Sequence, residues 1–216
     1  MKNFSFIIRS IFLATVFSLS CSTLLAQAPA RTNEIKTGII TLYARDPLAQ
    51  SFCFRDGDFG SVFYENEVRN RCSDINFNGY RQKDEADIFK IAVEGRRQGV
   101  IFDLGTTDEL QKKYGYEETV GKGQGFASLQ VRDGKVYVLK DRRARTTQEL
   151  SEPTLLFQKP SSETETVSVK LGHIYLMRLT DRSEKAFERI VKLLVIAHVP
   201  NESVTIRWQS CRQQAG

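Results

Sequence analysis

The sequence predicts a mostly β protein: an antiparallel, sandwich-like domain with one short α-helix. Three observations carry that expectation. Several runs rich in Val, Ile, Thr and Tyr keep a two-residue period, an Asp-Gly pair sits between two of them, and a single stretch has helix-capping chemistry.

In chain order, the first strand is expected within "EIKTGIITLYAR" (34–45), where Ile35, Thr37, Ile39, Thr41 and Tyr43 alternate onto one face. "GSVFYENEVRNR" (60–71) reads as two short strands turning at Glu65-Asn66. "DIFKIAVEG" and "GVIFDLG" are strand-sized apolar runs separated by Gly95 and Gly99. In "GTTDELQKKYGY" (105–116), Thr106 caps a helix and Glu109, three residues on, closes a capping box. Asp108 and Glu109 lie at the positive end of the helix dipole and Lys112 and Lys113 at the negative end, with Gly115 as the exit. Asp133-Gly134 is a two-residue hairpin turn inside "FASLQVRDGKVYVLKD" (126–141). "QKPSSETE" (158–165) reads as a long loop or a weak subdomain boundary near 158–166. The last third predicts strands at 172–180, 188–199 and 203–209, the final two joined by Pro200-Asn201-Glu202. A helix beginning at Ser183, with Phe187, Ile190, Val191 and Leu194 on one face, competes for 183–199. The Val and Ile content favours strand.

Residues 1–28 have the layout of a secretory signal peptide. Lys2 and Arg9 precede the uncharged run "SIFLATVFSLSCSTLLA", and Ala26-Gln27-Ala28 offers a small-x-small cut site. Pro29 disfavours that cut, and cleavage after Ala26 or Ala30 avoids it. The alternatives are a retained membrane anchor, for which the run is short, and a lipoprotein acylated at Cys21. The expected mature chain is a single β-rich domain over 29–212, secreted or periplasmic.

Loss of Lys2 and Arg9 with the leader lowers the formal charge from +5 to +3. A surplus that small, with acidic residues interspersed, argues against a nucleic-acid partner. Cys53, Cys72 and Cys211 then remain. In an oxidising compartment Cys53–Cys72 is the expected disulfide, closing a loop of roughly 20 residues and adding about 3 kcal/mol if unstrained. Cys211 is left free, buried or paired between chains.

"DINFNGYRQKDE" (74–85) has the spacing of a calcium loop. Asp74, Asn76, Asn78 and Glu85 stand at positions 1, 3, 5 and 12, and Gly79 at position 6. The resemblance to an EF-hand loop covers these residues and nothing around them. Arg81 replaces the usual aliphatic residue, only two ligands are charged, and "EVRNRCS" lacks the apolar stripe of an entering helix. The competing reading is a polar turn, since Asn and Gly favour turns for backbone reasons alone.

Other chemistry is sparse. "GKGQG" (121–125) precedes a predicted strand rather than a helix, so it reads as a loop and not a phosphate cradle. Asp56 and Asp58 read as a surface turn. His173 and His198, the only histidines, sit in predicted strands and read as structural, although pairing with an acid or Cys211 would suit zinc. Lys140, Arg142, Arg143 and Arg145 form a basic cluster suited to an anionic surface or an acidic partner. Trp208 and Tyr175 fit a carbohydrate surface or the core equally. The function expected is an exported, non-enzymatic β-rich binding or envelope-associated module of unknown ligand, without a cofactor. The alternatives are a calcium-stabilised form of that module and an extracytoplasmic hydrolase built from scattered carboxylates such as Asp103, Asp108 and Glu117.

Overall fold

A computed structural model describes residues 37–55, 57–59, 73–78, 87–91, 97–114, 129–141, 144 and 146–211, all within one compact unit spanning 33–216. The strands are β1 (Thr37–Tyr43), β2 (Ser51–Cys53), β3 (Asp58–Phe59), β4 (Ile75–Phe77), β5 (Ile88–Ile91), β6 (Arg97–Thr106), β7 (Leu129–Arg132), β8 (Lys135–Asp141), β9 (Thr146–Leu150), β10 (Thr166–Ser168), β11 (His173–Asp181), β12 (Glu188–Val199) and β13 (Ser203–Ser210). One helix, α1 (Thr107–Tyr114), and a 3-10 segment (Glu152–Phe157) complete the described elements. The protein is mostly β and antiparallel, as the periodicity predicts.

The strands form three sheets, ordered β1-β13-β12-β11-β6, β10-β5-β4-β2-β3 and β7-β8-β9. The first is the middle layer, because its two faces feed different cores. Leu42, Met177, Leu193, Ile206 and Trp208 point inward against Phe52, Phe77, Phe89 and Ile91 of the second sheet. Val100, Ile174, Leu176 and Ile190, on the opposite face, pack against Leu129, Val136 and Val138 of the third sheet, with Leu110 of α1 and Leu156. A two-sheet sandwich has one such interface; here the middle sheet is covered on one whole face and on half of the other.

Local chemistry explains the elements that sequence reading located. Asp133 and Gly134 both have positive φ, 49° and 68°, as a type I′ turn requires. Thr106 N–H donates to Glu109 Oε2 at 2.7 Å and Glu109 N–H to Thr106 Oγ1 at 3.2 Å, which is the capping box in full. Gly115, the expected exit, lies outside the described residues. Between β12 and β13, Glu202 N–H returns to Val199 C=O at 3.0 Å, with Pro200 second in the turn and Asn201 third at φ 60°. Pro pre-sets the first bend, and Asn tolerates the left-handed second one. Residues 188–199 are strand, so the helix considered for 183–199 does not form.

Three details go beyond the sequence reading. In β1 the face carrying Ile39 and Tyr43 is the solvent side, while Leu42 enters the core. Gly38 shares that inner side: a Cβ there would lie 2.8 Å from Trp208 Nε1, so only glycine leaves the indole room. Trp208 and Tyr175 are buried core residues, not a carbohydrate surface. Trp208 packs between Phe52 and Phe54, and Tyr175 meets the edge of Phe89. The loop 158–165 is also bonded to the core rather than hanging free. Its Thr164 and Glu165 carbonyls accept the N–H groups of Ile101 and Ile91, both at 2.9 Å. The two strands expected within 60–71 lie outside the described residues.

Candidate functional site

The most complete polar cluster is built by a bulge. Ile174 pairs with Gly105 and Tyr175 with Asp103, so Leu104 is an extra residue on β6, and Gly105 follows at φ 85°. A bulge re-aims the side chains beside it. Asp103 Oδ1 consequently lies 2.9 Å from His173 Nδ1 and accepts the Gly105 N–H at 2.8 Å. Lys170 Nζ reaches Asp103 Oδ2 at 3.1 Å. Burial pushes the Asp103 carboxyl upward, but the hydrogen bonds from His173, Gly105 and Lys170 outweigh it and hold the group below its usual range. An ionised Asp103 is an acceptor, so Nδ1 carries the hydrogen between them and Nε2 is the ring nitrogen left to meet a ligand. Among the described residues Nε2 has no partner. Behind the dyad, buried Tyr175 donates to Ser168 C=O at 3.0 Å and accepts the Lys170 N–H at 2.9 Å. Burial and nearby Asp103 push its phenol well up, so it stays neutral. This arrangement can accept a proton or hold an anionic group beside Lys170. Asp108 is exposed on α1, away from these bonds, and Glu117 lies outside the described residues.

The calcium-loop residues occupy a different setting. Asp74 is fully buried; its Oδ2 accepts the Phe54 N–H at 2.9 Å and meets Arg189 Nη1 at 3.3 Å. Oδ1 is buried and has no hydrogen-bond partner among the described residues. Burial raises the Asp74 carboxyl despite Arg189, the Phe54 N–H, Arg97 and Arg55. Asn76 lies within β4 and accepts from Gln50 Nε2 at 3.3 Å. Asn78, at φ 64°, accepts the Ile88 N–H at 2.9 Å. Glu85 lies outside the described residues. Among those described, one side-chain oxygen each of Asp74, Asn76 and Asn78 engages the surrounding chain, and no three His, Cys, Asp or Glu residues converge.

His198 takes its own acid: Nε2 is 3.0 Å from Asp87 Oδ1, within ion-pair reach but not aligned as a hydrogen bond. The two histidines therefore answer to separate carboxylates, Asp87 and Asp103, and not to each other. Cys211 is the free cysteine among the described residues, packed against the second core, and burial pushes its thiol up to about 11. Cys53 is buried in β2 and is not a free thiol; Cys72 lies outside the described residues. Lys140 is exposed, while Arg142, Arg143 and Arg145 lie outside the described residues, as do Asp56 and 121–125.

A surface that sequence reading missed lies on the middle sheet. Register puts Tyr43, Ser203 and Val199 in one row, Thr41, Thr205 and Ala197 in the next, and Ile39 beside Arg207, all on the outer face. The third sheet covers only the β6–β11–β12 half of that face. On the other half Ile39 is 64% exposed, Tyr43 and Val199 47% each, and Ile196, at the β12 irregularity, 42%. Among the described strands β1 is also the outermost of its sheet. The signal was in the sequence: Thr37–Tyr43 has no charge and no proline, the devices that ordinarily protect an edge.

Comparison with protein-family models, with curated proteins and with solved structures gives no match to this chain.

Proposed function

We propose that this chain is an exported, non-enzymatic β-rich module that binds a macromolecular partner on the open half of its middle sheet. One observation carries the reading: Ile39, Tyr43, Ile196 and Val199 are exposed on one face, interspersed with Thr41, Ser203 and Thr205, beside an uncharged edge strand. Scattered apolar residues are ordinary on any surface, but several on one face beside an edge strand suit strand addition. The leader at 1–28 supports export, and the engaged state of Cys53 supports a Cys53–Cys72 bridge made in an oxidising compartment.

The test is a photo-crosslinking residue placed at Ile39 in cells exporting the full chain, with one at exposed Leu155 as control. Adducts at 39 and not at 155 support the reading; no adduct at 39 overturns it.

A second reading, an extracytoplasmic hydrolase, is supported by the Asp103–His173 pair, in which Nε2, without a partner among the described residues, would serve as general base for water. Turnover in a broad esterase, amidase and glycosidase screen, abolished by His173→Asn, would establish it in place of the first.

A further inference from the structure

We propose that the outer face of the third sheet binds an acidic polysaccharide, on a surface separate from the open half of the middle sheet. Val131, Val136 and Val138 point into the second core. Register then sets Gln130, Tyr137 and Glu149 in one outward row, Arg132 and Lys135 in the next, and Leu139 and Thr147 in a third. Residues 129–150, which hold β7, β8 and β9, contain six Lys or Arg and three Asp or Glu, a balance of +3. The whole chain without Lys2 and Arg9 is also +3, so the positive surplus is concentrated in this one sheet.

Arg132 is held in a way that suits an incoming acid. Arg97, Arg178 and Arg189 each meet a carboxylate: Asp181 at 3.5 Å, Glu188, and Asp74 at 3.3 Å. Arg132 is fixed by neutral groups instead. Its Nη2 donates to Thr147 Oγ1 at 3.1 Å, and its guanidinium carbon lies 4.3 Å from the centre of the Tyr137 ring. Among the described residues no acid pairs with it, and Glu149, the acid of the outward rows, is taken by Lys135 at 2.9 Å. A guanidinium already ordered by stacking loses little freedom on meeting a carboxylate, and its planar fork matches that group. Lys135 and Lys140, both exposed, stand about 17 Å apart at five strand steps along β8. Cations spread over that length suit repeated carboxylates on a polymer better than one small ion. Gln130, Tyr137 and Thr147 add amide and hydroxyl groups for sugar hydroxyls, and Leu139 is the single aliphatic residue in the rows. A lipid surface would need apolar anchors that the described residues here do not supply.

Calorimetric titration of the purified mature chain with polygalacturonate tests this, with dextran as the uncharged control and polyglutamate and phosphatidylglycerol vesicles as rival anions. Polygalacturonate should bind, dextran should not, and binding should weaken as salt shortens the range of the charges. Arg132→Gln should weaken it about fivefold, and Lys140→Gln, which breaks no described contact, should weaken it measurably. Lys185→Gln, which removes the same charge from an exposed turn outside this sheet, should leave it unchanged. Absence of binding at low salt overturns the proposal, as does equal weakening by Lys185→Gln and Lys140→Gln. Polyglutamate or vesicles bound as tightly as polygalacturonate also overturn it. Should Arg132→Gln alter the circular dichroism, the two lysine variants decide. A crosslink at Ile39 is read separately, so either surface can fail without the other.

Discussion

Asp103 and His173 are 70 residues apart in sequence and 2.9 Å apart in space, joined because one extra residue on β6 shifts the register against β11. Neither side chain is placed by its own neighbours in the chain. Both are placed by the pairing of two strands, and Lys170 is carried to the same carboxylate by the turn that enters β11.

The pH dependence of stability follows from that pair. The Asp103 carboxyl titrates below its ordinary 3.8 in the folded chain. Its stabilisation is therefore complete above that value and lost as pH falls through the lower folded value. Asp103→Asn should cost about 1 kcal/mol at pH 7, a figure already reduced for solvent screening at a half-buried site, and progressively less as pH falls below 3.8. Urea unfolding at both pH values measures the difference.

Asp74 has the opposite sign. Its folded carboxyl titrates above 3.8, so the fold binds that proton more tightly and gains stability as pH falls through the raised value. Asp74→Asn keeps an oxygen for the Phe54 N–H and removes the buried charge. Its stability at pH 7 should lie within about 1 kcal/mol of wild type, with that limb of the pH profile gone. Asp74→Leu leaves the Phe54 N–H and Arg189 without this partner and should cost about 3 kcal/mol. Because Asp74 and Asn78 already hold chain groups, millimolar calcium should leave the melting temperature unchanged relative to chelator.

Glycine positions separate two kinds of strain. At Gly99 an added Cβ would lie 2.3 Å from the Arg178 carbonyl oxygen, backbone against backbone between paired strands. Gly99→Ala should cost at least about 2 kcal/mol. At Gly134 a Cβ meets nothing within 4 Å, but φ is 68°, so Gly134→Ala should cost about 1 kcal/mol through backbone conformation alone. Thermal unfolding of the two variants ranks them.

The thiols give a chemical check. Cys211 is packed against the second core with its thiol pushed up to about 11, so the native chain should resist alkylation at neutral pH. Unfolding the mature chain without reductant should expose one reactive thiol, and adding reductant should expose three. Intact-mass measurement after iodoacetamide counts them. Three modifications without reductant would remove the proposed Cys53–Cys72 bridge.

The legible elements were those whose chemistry is local. Asp133-Gly134 needs only two left-handed residues, the Thr106–Glu109 box closes across three positions, and β11, β12 and β13 are long enough to show their period. β2, β4 and β10 have three residues each, too few for any period, and exist because the middle sheet supplies an apolar surface to cover. The polar candidates divide along the same line. "DINFNG" reads as a loop of ligands in one dimension, yet residues 75–77 form a strand that carries Asp74 into the core.

By itself, then, the sequence determined the β class, the helix, the hairpin and the three C-terminal strands, because propensity, capping and turn geometry act within a few residues. Tertiary structure alone decided that the middle sheet is covered on one face and half of the other, that Ile39 and Tyr43 face solvent, and that Asp103 meets His173. Those outcomes depend on strand order and register, which arise from contacts between residues distant in the chain.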